Sequence, residues 1–173
     1  MIVEVVVASG MVETLAKLAD PWAKVFAHSK AVSSGVLYLH LVPLITAAGT
    51  AFAADRATLR VMKSGIDQRS AHLKQLALTH RVVVFGLALS FVSGILLFLS
   101  DVETFLGSVF IWIKLGLVFL LLVNGFVMTR TEQALDGSGK DSVLWERMRT
   151  LAMLSAMLWL ATALAGLVLK EFA

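Results

Sequence analysis

Residues 104–129 read TFLGSVFIWIKLGLVFLLLVNGFVMT, and Lys114 is the only charged residue in this stretch. A run of about 20 apolar residues is long enough to cross a bilayer as a helix. Three further runs reach that length, at residues 31–54, 82–100 and 150–169. None of them alternates between apolar and polar residues as the strands of a membrane β-barrel do. We therefore predict an all-α integral membrane protein, a bundle of four transmembrane helices.

The composition of the whole chain supports this interpretation. Of its 173 residues, 58% are hydrophobic and only 16% are charged, which is too little charge to cover the surface of a soluble domain. The chain has no cysteine, which excludes disulfides, thiolate metal sites and cysteine nucleophiles. No phosphate-binding or nucleic-acid-binding motif is present, so we expect no nucleic-acid partner.

The basic residues predict the topology. Segments 55–81 and 130–149 contain ten Lys and Arg residues, the two termini together contain four, and the connection at 101–103 contains none. Positive residues accumulate in cytoplasmic loops. We therefore predict a multi-pass protein of the bacterial inner membrane, with the two longer loops in the cytoplasm and both termini outside.

Residues 1–30 precede the spans and show a different pattern. Apolar residues recur there at helical spacing, at Met11, Leu15, Leu18, Trp22 and Val25. Asp20 followed by Pro21 is typical of a helix start, which predicts a break before Pro21. We predict an amphipathic helical segment over 1–30, separate from the bundle of residues 31–173. Such a segment either lies in the membrane interface or docks onto a partner protein.

Two ionisable side chains lie inside the predicted spans, His40 in the first and Lys114 in the third. A lysine at membrane depth costs about 2.5 kcal/mol or more unless it reaches the interface or a partner. Both spans enter from the outer side, and both residues lie about 10–15 Å along their helices at 1.5 Å per residue. The two side chains could therefore meet. Alternatively, His40 bonds to a neighbouring helix and Lys114 extends to the interface beside Trp112.

Other polar residues lie near the ends of the spans. Asp55 and Arg56 end the first span, and we expect Asp55 to pair with a basic neighbour such as Arg56, Arg60 or Arg81. Asn124 is expected to hydrogen-bond across the bundle. His80 lies at the cytoplasmic end of the second span, too far in depth from His40 to share a metal with it, and is expected to be interfacial, with a ligand role as the alternative.

Small residues at intervals of four in the second span, Gly86, Ser90 and Gly94, predict close helix packing. Packing inside the bundle is the favoured interpretation, and a homo-oligomer interface is the alternative.

Two segments resemble small bacterial membrane families related to the HemJ-type protoporphyrinogen oxidases and the CopD-like copper-resistance domains. In LHLVPLITAAGTAFAADRATLR, His40, Gly49 and Arg56 match the family's span-one histidine, small-residue patch and arginine. FIWIKLGLVFLLLVNGFVMTR resembles the family's Trp-x-x-Lys-Leu opening of the third span, with the tryptophan one position nearer to Lys114. The family's later Tyr-His is replaced here by Asn124 and Gly125.

The resemblance covers about residues 38–130. In HemJ-type proteins the histidine and the lysine are associated with haem b, so the resemblance implies that His40 and Lys114 hold haem b between spans one and three. It implies a redox protein, and it does not extend to porphyrinogen oxidation. Because His40 and Lys114 lie nearer the outer side, we expect quinone or an outer-side donor as the electron partner. The chain also resembles uncharacterised four-span bacterial proteins, and this resemblance implies no function.

Two other functions remain open at this point. The chain could be a non-catalytic subunit of a larger membrane complex, docked through its apolar surface and its N-terminal helix. It could also be a small transporter or channel, with His40 and Lys114 in a polar pathway.

Overall fold

The structure, a computed structural model, describes residues 2–62, 66–138 and 142–172. These residues form six α-helices and no strand: α1 (Ile2–His28), α2 (Lys30–Val61), α3 (Ile66–Phe98), α4 (Val102–Gly107), α5 (Val109–Ser138) and α6 (Ser142–Phe172). Four of them, α2, α3, α5 and α6, are long and apolar enough to cross a membrane. The predicted all-α fold with four transmembrane helices is therefore confirmed.

The four long helices pack as two hairpins, α2 with α3 and α5 with α6, which are joined mainly through α2 and α6. One apolar cluster, containing Leu76, Leu135 and Trp145, lies near the α2–α3 and α5–α6 junctions. A second cluster, containing Ala47 and Trp159, lies nearer the middle of the bundle. We call the end with the two junctions the loop face and the opposite end the terminal face.

The outer surface of the bundle is apolar. Large side chains such as Phe85, Phe119 and Leu160 expose between 62% and 71% of their surface. An exposed apolar surface of this kind is too costly to leave in water and suits contact with lipid. This surface supports the predicted contact with a lipid bilayer.

The first helix differs from the prediction at Pro21. It continues through Pro21 without the predicted break, because the position four residues earlier, Lys17, is exposed and its unpaired carbonyl can bond to water. The helix docks onto the bundle through residues that include Trp22 of the predicted apolar face, while Leu18 of that face stays exposed. Ala19 is buried, and the Trp22 indole donates a hydrogen bond to the Leu96 carbonyl at 2.8 Å.

The third span begins later than predicted. Residues 102–107 form the separate short helix α4, whose N-cap Asp101 accepts a hydrogen bond from the Thr104 backbone at 3.2 Å. Ser108 is extended, with φ −86° and ψ 122°, and α5 starts only at Val109. Hydropathy missed this break because residues 104–108 contain no charged residue and continue the apolar run without interruption. At the loop face the helices extend beyond the apolar runs, to Val61 in α2 and to Ser138 in α5.

Candidate functional site

His40 lies in the half of α2 nearer the terminal face, and its ring faces α3. The imidazole Nδ1 is 2.9 Å from the carbonyl oxygen of Ser90. A carbonyl only accepts hydrogen bonds, so Nδ1 carries the proton and the Nε2 lone pair of the neutral ring is left for another partner. The ring lies against Gly94, where a Cβ would be 3.2 Å from the ring carbon Cε1.

A proline explains why α3 can reach the backbone of α2 at this level. Pro43 has no N–H, so the carbonyl of Leu39 lacks its usual partner within the helix. The Ser93 hydroxyl lies 3.2 Å from that carbonyl oxygen, although carbonyls of its own helix compete for the same hydrogen. The Ser90 hydroxyl donates to the His40 carbonyl at 3.1 Å. Our sequence interpretation did not use Pro43, although a proline three residues after an intramembrane histidine was a visible signal.

The small residues of α3 pack inside the bundle. A Cβ at Gly86 would lie 2.8 Å from the carbonyl oxygen of Pro43 and 2.9 Å from the Cβ of Ala47. Only glycine permits this approach of α3 to α2. The predicted packing role is therefore confirmed for Gly86 and for Gly94, whose missing side chain makes room for the His40 ring.

Lys114 lies in the second turn of α5 and turns toward α6. Its Nζ would be 3.5 Å from a Cβ at Gly166, and its ammonium interacts electrostatically with the His40 imidazole. Trp112, the neighbour expected to accompany it to the interface, is 58% exposed and donates instead to the Leu106 carbonyl at 3.4 Å. The structure thus brings Lys114 and His40 to the same level of the bundle.

A second group of polar side chains lies closer to the loop face. Asp55 is only 4% exposed, and its carboxylate is within hydrogen-bonding reach of the Ser155 hydroxyl and in electrostatic range of His80. The expected pairing of Asp55 with Arg56, Arg60 or Arg81 was wrong, because all three arginines are exposed, and Arg56 and Arg60 line a surface groove. A residue near the end of a span can face either water or a neighbouring helix, and the sequence does not show which.

His80 is not simply interfacial. Its Nδ1 lies 3.2 Å from Oε2 of Glu132 on α5, an ion-pair distance without hydrogen-bond angles. Glu132 is 8% exposed. Our sequence interpretation missed Glu132, because it follows Arg130 beyond the apolar run and looked like an ordinary loop residue.

His72 connects this group to the surface. Its Nε2 is 2.8 Å from the Thr58 hydroxyl, which itself donates to the Ala54 carbonyl, so Nε2 must be the donor to Thr58. His72 also interacts electrostatically with Glu132. It lines an open groove of about 700 Å³ between α2 and α3, together with Arg56 and other residues of both helices.

Asn124 makes the predicted bond across the bundle. Its side-chain nitrogen donates to the Leu151 carbonyl on α6 at 3.2 Å. This bond joins α5 to α6, so Asn124 contributes to the packing of these two helices.

The donor groups limit what each site could bind. Among the described residues, no group of three or more His, Asp or Glu side chains could hold a metal ion by itself. A haem iron needs only one or two protein ligands, so the His40–Lys114 pair meets that requirement. No family model, curated protein or solved structure matches this chain.

Proposed function

We propose that this protein is a membrane redox protein that binds haem b between α2 and α5. His40 would hold the iron through Nε2, and Lys114 would hold it through its amine. The observation that supports this most is the hydrogen bond between His40 Nδ1 and the Ser90 carbonyl. The resemblance to HemJ-type proteins points to the same two residues.

The bond to Ser90 is what an iron-binding histidine requires. A metal-ligating imidazole usually donates its other N–H to a carbonyl or a carboxylate, which fixes the tautomer and the ring orientation. The carbonyl of Ser90 does this for His40, and the hydrogen bond from the Ser90 hydroxyl to the His40 backbone holds the two helices in register. The ring therefore needs little reorganisation to bind a ligand at Nε2.

A glycine lies beside each of the two side chains. Gly94 lies against Cε1 and Nδ1 of the His40 ring, and Gly166 lies beside the Lys114 amine, where it leaves the space of a side chain free. Glycine is the residue that allows the closest approach of a ligand to a helix backbone. Both donors belong to spans of a helical bundle, a common setting for cofactor sites.

When bound, haem b would supply one-electron transfer, with its potential set by the axial ligands and by burial. His40 and Lys114 lie in the half of the bundle nearer the terminal face. We propose that this face is the outer side of a bacterial inner membrane, because the basic residues are concentrated at the loop face. The electron partner would then be a quinone in the bilayer or a donor on the outer side.

Ligand substitution tests the assignment. Protein expressed with ample haem is purified, and the ratio of haem to protein is measured as the pyridine haemochrome. We expect His40→Ala and Lys114→Ala each to lower this ratio while both variants still insert. His28→Ala and Lys24→Ala are the matched controls, because both side chains are exposed and bond only within α1. If both site variants retain the full haem content of the wild type, the assignment is wrong.

A second candidate function is that of an accessory subunit of a larger membrane complex. Met11 and Leu18 of α1 expose 62% and 75% of their surface, outside the four spans. Exposed apolar side chains on a docked helix suit a protein contact as well as a lipid contact. This candidate predicts that the purified protein is colourless and that Leu18→Glu prevents its assembly with a partner subunit.

A further inference from the structure

Three ionisable side chains from three different helices converge near the loop face: Asp55 of α2, His80 of α3 and Glu132 of α5. We call this group the acidic–histidine cluster. Burying charged groups costs several kcal/mol each unless every one is well paired. Ionisable residues inside a membrane bundle therefore usually serve a purpose beyond packing, such as a proton relay.

The cluster is incompletely paired. Oδ2 of Asp55 and Oε1 of Glu132 are buried and have no hydrogen-bond partner among the residues that the structure describes, although their side chains are 4% and 8% exposed. A purely structural ion pair would satisfy these oxygens, because an unpaired buried acceptor costs about 1–3 kcal/mol. A carboxyl that gains and loses a proton needs such a free site.

The cluster also has a route to water. His72 lines the groove of about 700 Å³ at the loop face and lies in electrostatic range of Glu132. Oε2 of Glu132 lies 3.2 Å from Nδ1 of His80. After a small rotation of the side chains, a proton can pass directly between these two atoms. Asp55 is in electrostatic range of His80 and within hydrogen-bonding reach of Ser155 on α6.

We propose that Glu132, His80 and Asp55 form a proton relay between the water at the loop face and the interior of the bundle. A hydronium ion from the water in the groove gives a proton to the Glu132 carboxylate, so that one O–H bond of the hydronium breaks as the carboxyl O–H bond forms, and a water molecule is left. The carboxyl O–H bond breaks as an N–H bond forms at Nδ1 of His80, and the imidazolium then releases its Nε2 proton to the Asp55 carboxylate. An imidazole is suited to this role because it has two nitrogens that exchange protons near neutral pH.

Three arginines of α2 and α3 are the other charged groups that the relay would face near the loop face. Arg56 and Arg60 of α2 line the groove next to His72. On α3, the Arg69 guanidinium stacks 5.1 Å from the ring centre of Trp145 and donates to the Met62 carbonyl. The helix α6 contributes the polar side chains Ser155 and Trp145. The relay does not depend on haem, so it can be tested in protein without the cofactor.

Infrared difference spectroscopy tests the proposal on the full chain in lipid nanodiscs. Spectra recorded across a pH step should show the C=O stretch of protonated carboxyl groups appearing as the pH falls. We expect Asp55→Asn and Glu132→Gln each to remove one component of this signal, and Asp55→Glu to restore a shifted component. Glu103→Gln is the matched control, because Glu103 is exposed on α4 and lies outside the cluster, so its loss should leave the Asp55 and Glu132 components in place.

The rate of transfer separates a relay from a structural ion pair. After a pH jump, His80→Gln should leave the Glu132 component in place and slow the Asp55 component at least tenfold, because the intermediate carrier is missing. The proposal is overturned if neither buried carboxyl titrates, or if His80→Gln leaves the Asp55 rate unchanged. Neither result would bear on whether His40 and Lys114 hold haem.

Discussion

The imidazole of His40 donates a hydrogen bond from Nδ1 to the carbonyl oxygen of Ser90, 2.9 Å away on the neighbouring span. The bond fixes which nitrogen is protonated and leaves Nε2 as the free donor. His72 has the opposite arrangement, because its Nε2 donates to the Thr58 hydroxyl. The same chain therefore contains two histidines that pack between α2 and α3 and are held in different tautomers.

The two tautomers can be distinguished by nitrogen NMR. In cofactor-free protein with labelled histidine, at a pH where both rings are neutral, we expect His40 to carry its proton on Nδ1 and His72 on Nε2. The signals are assigned by their loss in His40→Ala and His72→Ala. A His40 ring protonated on Nε2 would contradict the hydrogen bond to Ser90 and would remove the main support for the proposed iron ligand.

Gly86 should be intolerant of a side chain. We expect Gly86→Ala to lower the free energy of unfolding by about 1–3 kcal/mol, because its Cβ would meet the Pro43 carbonyl and the Ala47 side chain. Gly116→Ala is the control, since a Cβ there has no neighbour within 4 Å and alanine favours a helix by about 1 kcal/mol. Thermal unfolding in detergent measures both. Equal effects of the two substitutions would mean that α2 and α3 do not approach as described.

The docking of α1 depends on Trp22. Trp22→Phe keeps the ring but removes the hydrogen bond to the Leu96 carbonyl, which is worth about 0.5–1.5 kcal/mol. We expect amide hydrogen exchange in the second half of α1 to become roughly two- to tenfold faster. Trp112→Phe, which removes a bond between α4 and α5, should leave α1 exchange unchanged. An α1 that already exchanges freely in the wild type would show that it is not docked.

The membrane orientation can be tested cleanly because the chain contains no cysteine. Single cysteines are introduced at Met11 in α1 and at Asp136 in the last turns of α5, both of which are exposed. A membrane-impermeant maleimide added to intact cells that lack an outer membrane should modify position 11 and not position 136. Labelling of position 136 in intact cells would reverse the proposed topology.

The four spans could be predicted from the sequence because lipid demands long, uninterrupted apolar helices. The break at Ser108 could not be predicted in the same way, since residues 104–108 carry no charge and hydropathy does not separate them from the span that begins at Val109. At Pro21 the sequence predicted a break that the structure does not have. It lies inside α1, where tertiary contacts of Ala19 and Trp22 outweigh a local stop signal.

The His40–Lys114 pair could be predicted from the sequence, whereas the acidic–histidine cluster could not. His40 and Lys114 stood out because each lies alone in an apolar run, and their similar depth followed from helix geometry. Asp55, His80 and Glu132 are far apart in the chain and lie at the ends of apolar runs, where charged residues are normal. Their burial depends on the way α2, α3 and α5 pack at the loop face, which no local pattern encodes.

The measurement that tests the central claim most directly is the absorbance spectrum of the purified wild-type protein after expression with ample haem. A haem b held by His40 and Lys114 predicts a Soret band in the oxidised protein, α and β bands on reduction by dithionite, and a haem-to-protein ratio approaching one. A colourless protein that also fails to take up added haemin would contradict the account, and the accessory-subunit function would replace it.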